Sequence, residues 1–287
     1  MPPETPAGLL RQGGNRLVEA GNRDSRRDAR LLLQHATGLS QTDLVADPDR
    51  AIGAHEAMLF AGFIERRAAG EPVSRIIGKR DFYGRHFEVT PDVLDPRADT
   101  ETLIDAVLPL VREREGCSIL DIGTGSGAII VTLLAELPSA SGVATDKSEA
   151  ALAVARRNAV SHQVDGRLEL LQTDWASGCR GPFDLIVSNP PYIPAADIAG
   201  LDVDVREHDP ILALAGGDDG LDAYRMLLPQ ARELLLPQGH VAVEFGAGQH
   251  NDVVAIASAA GLVLAGEGGG LFKDLAGHIR CAVFARS

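Results

Sequence analysis

Ile119-Leu120-Asp121-Ile122-Gly123-Thr124-Gly125-Ser126-Gly127 is an apolar run that meets an acid and then breaks into three glycines within five residues. Its first half, with Ser118, reads as a short buried strand. Its second half reads as a tight turn into an apolar helix from Gly127 to Leu137, stopped by Pro138. Glycines let a backbone turn sharply and approach a bound ligand closely. Downstream the same alternation continues. Strands are expected at Ser141–Asp146, Leu168–Gln172, Asp184–Ser188, His240–Phe245, Leu262–Ala265 and Ile279–Ala285. Helices are expected at Ser148–His162, Leu221–Leu236 (despite Pro229) and Asp252–Ala260, and Gly266–Gly270 reads as a flexible loop. Strand–helix alternation of this kind means an α/β fold with a mostly parallel sheet covered on both faces.

The ligand is chosen by what surrounds the turn. In open α/β sheets the crevice lies at the carboxyl ends of the strands. GTGSG lacks the GxGxxG spacing that brings a pyrophosphate to a helix N-terminus. Acids stand instead at three consecutive strand ends. Asp121 is placed to meet an ammonium group, and Asp146 to accept two ribose hydroxyls. Asp174, beside the single tryptophan Trp175, is placed to bind and cover an adenine. Ammonium, ribose and adenine without a phosphate site describe S-adenosyl-L-methionine better than a dinucleotide. The expected cofactor residues are Asp121, Gly123, Thr124, Gly125, Ser126, Gly127, Asp146, Asp174, Trp175 and Asn189.

Asn189-Pro190-Pro191-Tyr192 follows the strand that ends at Ser188. Paired prolines stiffen the loop, but they do not explain an asparagine and a tyrosine flanking them at the cofactor end of a sheet. An amide or exocyclic amine nitrogen is a poor nucleophile, because its lone pair is delocalised. The Asn189 side-chain oxygen and the Pro190 carbonyl can accept its two N–H groups, and Tyr192 can stack on the planar group. Asn189, Pro190 and Tyr192 are therefore the expected catalytic residues, with Pro191 beside them in contact with substrate. Holding the nitrogen in line with a sulfonium methyl supplies rate by proximity.

The rest of the chain frames this site. It has 287 residues, 45% of them apolar, and a formal charge of −13 from 27 basic and 40 acidic residues. An acidic surface disfavours stable binding to nucleic-acid backbones. Cys117, Cys179 and Cys281 are too far apart for a disulfide framework or a zinc site, and no metal is expected. Met1 to Gly14 lacks a signal-peptide run, and Ala128–Leu134 is far too short to span a bilayer, so a cytoplasmic protein without a membrane segment is expected. Before Gly70 the pattern is helical. One helix is capped at Asp24 or Ser25 and ended by Gly38, Ser40 and Asp43 resemble a capping box, and Ala51–Ala69 carries Met58, Phe60 and Ile64 on an apolar face. The expected organisation is residues 1–72 as a helical docking domain, 73–96 as a β-hairpin linker and 97–287 as the catalytic domain. Arg75, Lys79, Arg80 and Arg85 make the linker the one dense basic spot, a candidate docking surface.

With these residues quoted, the chain resembles the PrmC/HemK family of protein-glutamine methyltransferases over nearly its whole length. Gly70-Glu71-Pro72, Phe82-Tyr83-Gly84 and Asp95-Pro96-Arg97-Ala98-Asp99-Thr100-Glu101 are similar to that family's linker and PRPDTE-type segment. Asp121–Gly127, Asp174-Trp175, Asn189–Tyr192, Val205–Pro210 through Leu221, and Asp274–Arg280 follow its other motifs. The resemblance implies a class I S-adenosylmethionine-dependent methyltransferase fold, a Rossmann-like seven-stranded sheet behind a small N-terminal helical bundle. It implies S-adenosyl-L-homocysteine as product and adds Arg97 and Glu101 to the substrate-binding residues. It implies, as substrate, the glutamine of the Gly-Gly-Gln motif in class I peptide chain release factors, in support of translation termination. A sister group acting on a large-subunit ribosomal protein departs from the Asp-Thr-Glu part of the segment, so Asp99-Thr100-Glu101 favours release factors. Asp95 and Ala98 depart from the family's usual aliphatic residue and proline. Adenine amino-methyltransferases use a similar Asn-Pro-Pro-Tyr loop, but they flip a base and bind phosphates, which the acidic balance opposes. A binding module that keeps the fold without the chemistry is opposed by the intact glycines, Asp146 and Asn189–Tyr192.

Overall fold

The computed structural model describes residues 4–287. They divide into two compact units. The first holds residues up to Lys79 together with Asp202–His208, and the second holds Arg80–Leu201 and Asp209–Ser287.

The first unit is helical: α1 (Pro6–Glu19), α2 (Ser25–Thr37), α3 (Gln41–Ala46), α4 (Ala54–Ala68) and α5 (Val73–Ile77). Leu17, Leu32, Leu33, Phe60 and Ile64 form its core. The sequence reading did not single out α1, because Gly13 and Gly14 weaken helix propensity. Packing explains Gly13: a Cβ there would sit 2.6 Å from the Phe60 ring. Ser40 and Asp43 do form the capping box, and Gly38 closes α2 in the left-handed conformation with φ 71°. Met58, expected on the apolar face, is exposed. Arg67 ties the unit together, donating to Asp28 at 2.7 Å and to Asp204 at 3.0 Å.

The stretch expected to be an extended hairpin from Arg75 onward begins instead as α5, with Ile76 buried in the helical core. Gly78 ends that helix at φ 70°. Only then does the hairpin form, from β1 (Lys79–Phe82) and β2 (Arg85–Glu88). Its turn places Tyr83 and Gly84 at positive φ, as a tight hairpin turn requires.

The second unit is built on one sheet. Its strands are β3 (Ser118–Ile122), β4 (Ser141–Asp146), β5 (Leu168–Gln172), β6 (Phe183–Ser188), β7 (Leu235–Glu244), β8 (Leu262–Leu264), β9 (Leu271–Lys273) and β10 (Ile279–Arg286). Seven run in the order β5-β4-β3-β6-β7-β10-β8, and β9 adds an eighth by pairing with β10. β3 to β7 are parallel to their neighbours, and β10 is antiparallel to β7. Because side chains alternate along a strand, Ile119, Leu185 and Val187 face one core with α6 (Glu101–Val111) and α7 (Ala128–Glu136). Leu120, Ile122 and Ile186 face the other, with α10 (Asp222–Leu234) and α11 (His250–Ala259). α8 (Glu149–Ser161) follows β4, and α9 (Val203–Arg206) lies in the segment that belongs to the helical unit. The helix expected to reach Leu236 stops at Leu234, where the chain enters β7. The parallel strands all present their carboxyl ends to one edge, where the site forms.

Candidate active site

The glycine turn is held by backbone hydrogen bonds. The Gly123 and Thr124 amides donate to the Thr145 carbonyl at 2.9 and 2.8 Å. Gly123 and Gly125 lie at positive φ, and a Cβ on either would meet nothing within 4 Å, so this backbone faces open space. Gly127 has a different reason: its Cβ would press on Ala155 at 3.1 Å, where α8 passes close. Asn158, buried on α8, donates from Nδ2 to the carbonyls of Ser126 (2.8 Å) and Glu88 (3.0 Å) and accepts from the Glu88 amide (2.7 Å). That side chain fastens the turn to β2; it reads in the sequence as one more helical polar residue.

The three acids have different environments. Asp146 ends β4 and accepts from the Gly125 amide on one oxygen and the Ser148 amide on the other, each at 2.9 Å. A carboxylate oxygen has two lone pairs, so each keeps one to accept a further donor. Asp174 is exposed, 3.6 Å from the Lys147 ammonium, and Trp175 beside it takes φ 56°. Asp121 is fully buried beneath the turn. One of its oxygens accepts from the Thr124 hydroxyl at 2.6 Å and the other has no partner. Burial pushes its pKa up to about 7.

A cavity of about 510 Å³ opens over this edge. Gly123, Thr124, Gly125, Ser126, Asp146, Asp174, Trp175, Asn189, Pro191 and Arg97 line it, whereas Asp121, Gly127, Glu101, Pro190 and Tyr192 do not. Asp121 acts from behind, through Thr124. The Glu101 carboxylate accepts the Tyr83 amide at 2.8 Å and so fixes the hairpin turn. Pro190 is buried, and Tyr192 packs against the core formed with α10 and α11, where burial lifts its hydroxyl to about 12. Arg97 donates to the buried Asp209 at 2.6 Å, and Asp209 also accepts the Asp95 amide at 3.3 Å. The two departures from the family pattern thus sit in a segment clamped by Asp209.

The loop after β6 is fixed from several sides. Ser188 donates to the Ile122 carbonyl at 2.7 Å, tying β6 to β3. Ile193 and Ala195 donate to the carbonyls of Leu214 and Gly217. Gln249 donates to the Tyr192 carbonyl and accepts the Gly246 amide, both at 2.9 Å. Gly220 is required beneath it, since a Cβ there would collide with the Tyr192 carbonyl oxygen. Asn189 itself donates from Nδ2 to the Thr100 hydroxyl at 3.0 Å.

Sequence reasoning missed Glu244. It ends β7, is 1% exposed, and carries one oxygen with no hydrogen-bond partner. Burial lifts its pKa to about 7, opposed by hydrogen bonding from Thr100 and Asn189 and by the charge of Arg280. Arg280 is itself engaged by Asp274 at 2.8 Å and Asp99 at 3.3 Å.

The basic spot on the linker is not one free surface. Arg75 is buried in α5. Arg80 donates to the Pro96 carbonyl at 3.0 Å and Arg85 to Glu136 at 2.6 Å. These three cations are engaged or buried within the protein, and Lys79 alone of the four stands exposed. Among the described residues, no group of His, Cys, Asp and Glu is arranged to hold a metal ion, and no helix is long and apolar enough to cross a membrane.

Comparison with known proteins agrees with this geometry. A family model described as PrmC N-terminal domain matches residues 8–78, and one described as Methyltransferase small domain matches residues 98–201. A release factor glutamine methyltransferase of Rhodospirillum rubrum is 47% identical over 280 residues, covering 97% of this chain and 84% of that protein. One of Bradyrhizobium diazoefficiens is 48% identical over 252 residues, covering 87% of this chain and 85% of that one. The crystal structure of a methyltransferase from Pyrococcus furiosus shares the fold, with a TM-score of 0.50 at 23% identity over 71% of this chain and 89% of that one. The chain is a class I methyltransferase, and on relatives this similar over nearly its full length it belongs to the release factor glutamine methyltransferase family.

Proposed function

We propose that this enzyme transfers a methyl group from S-adenosyl-L-methionine to the side-chain amide nitrogen of the glutamine in the Gly-Gly-Gln motif of class I release factors. It acts in the cytoplasm in support of translation termination. The observation that carries the reading is Asn189, at the end of β6, lining the same cavity as the glycine turn and Asp146.

The residues present fit the donor. Gly123 and Gly125 bring bare backbone to the cavity wall, Asp146 keeps lone pairs for ribose hydroxyls, and Trp175 and Asp174 flank a place for adenine. Asp121 lies beneath the turn with its pKa raised to about 7, and a bound ammonium group would favour its ionised form. S-adenosylmethionine, when bound, supplies an electrophilic methyl on a sulfonium.

The chain's own work is to hold and orient the amide. Nδ2 of Asn189 is engaged by Thr100, so Oδ1 remains to accept one N–H of the glutamine, and the Pro190 carbonyl accepts the other. Both are acceptors, which select an NH2 group and align its nitrogen with the methyl. Asn189 is no general base, and the proton leaves to water or to a carbonyl during or after transfer. Arg97 borders the substrate side, Glu101 acts through the hairpin turn that it holds, and the N-terminal helical unit grips the release factor.

Mass spectrometry of a purified release factor after incubation with the enzyme and S-adenosylmethionine tests this. A gain of one methyl group on the Gly-Gly-Gln peptide is expected; an unmodified glutamine, with methyl found on another residue or on nucleic acid, overturns the reading.

A further inference from the structure

Burying a carboxylate is costly unless it is paired or hydrogen-bonded. Glu244 is neither a packing residue nor half of a dedicated ion pair. Arg280, the cation whose charge acts on it, is already bonded to Asp274 and Asp99. It does not line the cofactor cavity. What it faces is the Thr100 hydroxyl and the Asn189 side chain. The register explains why: β6 and β7 are parallel neighbours, with Ser188 opposite Val243, so the next residues along the two strands are Asn189 and Glu244.

The polarity of this group of side chains has one sense. Asn189 Nδ2 donates to Thr100 Oγ1 at 3.0 Å. A hydroxyl that accepts has its own proton to give, and an ionised carboxylate only accepts. With Glu244 ionised, the Asn189 amide therefore donates to Thr100, and both side chains turn their donors toward Glu244. An amide whose NH2 is held on that side carries its oxygen on the other, and Asn189 lines the cavity. A free asparagine could present either end, and the NH2 end would repel the N–H groups of a substrate amide.

We propose that Glu244 is a positioning residue which, with Thr100, fixes the flip of the Asn189 side chain so that Oδ1 rather than Nδ2 is offered to the substrate amide. The inference rests on the reading of Asn189 as the acceptor for the glutamine N–H. Glu244→Gln is the informative change, because it keeps size and removes the one-way polarity. A glutamine amide can donate to Asn189 Oδ1 and turn the asparagine over.

Steady-state methylation of purified release factor decides it. For Glu244→Gln we expect kcat to fall about 10-fold or more, within the roughly 100-fold that misorientation costs. KM for release factor and affinity for S-adenosylhomocysteine should stay within about twofold, since neither ligand touches Glu244. In an Asn189→Ala background the same change should lower kcat no further, because the residue acts through Asn189. Should Glu244→Gln fail to fold, Thr100→Val removes the hydroxyl that accepts from Asn189 and should lower kcat likewise, again with no further loss in the Asn189→Ala background; cofactor affinity is no readout for this variant, because Thr100 lines the cavity. Wild-type kcat in the folded variant, or an equal loss in both backgrounds, overturns the proposal. A fully active Asn189→Ala enzyme is a different result: it removes the reading of Asn189, and this inference with it.

Discussion

Asp121 on β3 and Glu244 on β7 are both wholly buried near the carboxyl edge of the sheet, and burial lifts both to a pKa of about 7. They differ in what they hold. Asp121 binds the Thr124 hydroxyl and so steadies a backbone turn, and the neighbouring charge of Asp146 raises its pKa further. Glu244 faces two side chains, Thr100 and Asn189, with Arg280 easing its charge and Asp99 opposing it. One acid shapes the turn proposed to hold the methyl donor. The other orients the group that receives the acceptor. Two ends of one cavity are thus preorganised by the same device, a buried acid with few partners, applied once to backbone and once to a side chain.

The largest test of this pairing is a pH dependence. The folded pKa of Asp121 stands above its unfolded value near 4. The folded state therefore holds a proton between about pH 4 and pH 7 that the unfolded state has lost, and stability declines as pH rises through that window. Asp121→Asn removes the titration. The variant should gain on wild type by up to about 4 kcal/mol between pH 4 and pH 8 in urea unfolding of the cofactor-free protein. Parallel stability curves would mean that Asp121 is ionised in the fold and that the likeness to Glu244 is superficial.

Next in size is the acceptor itself. Asn189→Ala removes the oxygen proposed to hold the substrate amide. Turnover on release factor should drop at least about 100-fold, while cofactor affinity falls much less, because Asn189 lines the cavity but the glycine turn and Asp146 are untouched. Near wild-type turnover in the folded variant, with both substrates saturating, would falsify the role.

Asp146→Ala probes the opposite end. Its carboxylate is braced by the Gly125 and Ser148 amides, so its loss takes a charged acceptor from the ribose and loosens the turn. Calorimetry should show S-adenosylmethionine binding weakened by roughly 1.5–3 kcal/mol. Unchanged affinity would remove Asp146 from the donor site.

The two ends were unequally legible in the sequence. Glycines at Gly123, Gly125 and Gly127 advertise a turn because only they take those dihedrals cheaply, and the acid beside them is read along with them. Asn189-Pro190-Pro191-Tyr192 is legible for the same local reason. Glu244 closes Val241-Ala242-Val243-Glu244, where an acid after an apolar run looks like the solvated end of a strand. Its meaning comes from register with β6 and from Thr100, far away in sequence. Asn158 escapes for the same reason, since its three partners lie on β2 and in the glycine turn. The alternating strands are placed closely, apart from the first five residues of β7, because their apolar runs are short and bounded by turn residues. β9 was missed because three residues beside a run of glycines carry no periodicity.

Gln249 gives the smallest and most selective test of whether the β7 end serves the acceptor alone. It sits just past β7 and bridges the Gly246 amide to the Tyr192 carbonyl. Both bonds are neutral, and the side chain is half-buried, so water can replace part of what is lost. Gln249→Ala should therefore cost only about 1 kcal/mol of loop order. If that order matters only where the substrate amide binds, kcat falls about fivefold, and S-adenosylhomocysteine affinity stays level because no cofactor-facing group has moved. A matched loss of cofactor affinity would show that the two ends are mechanically one site, and the division between donor wall and acceptor clamp would have to be given up.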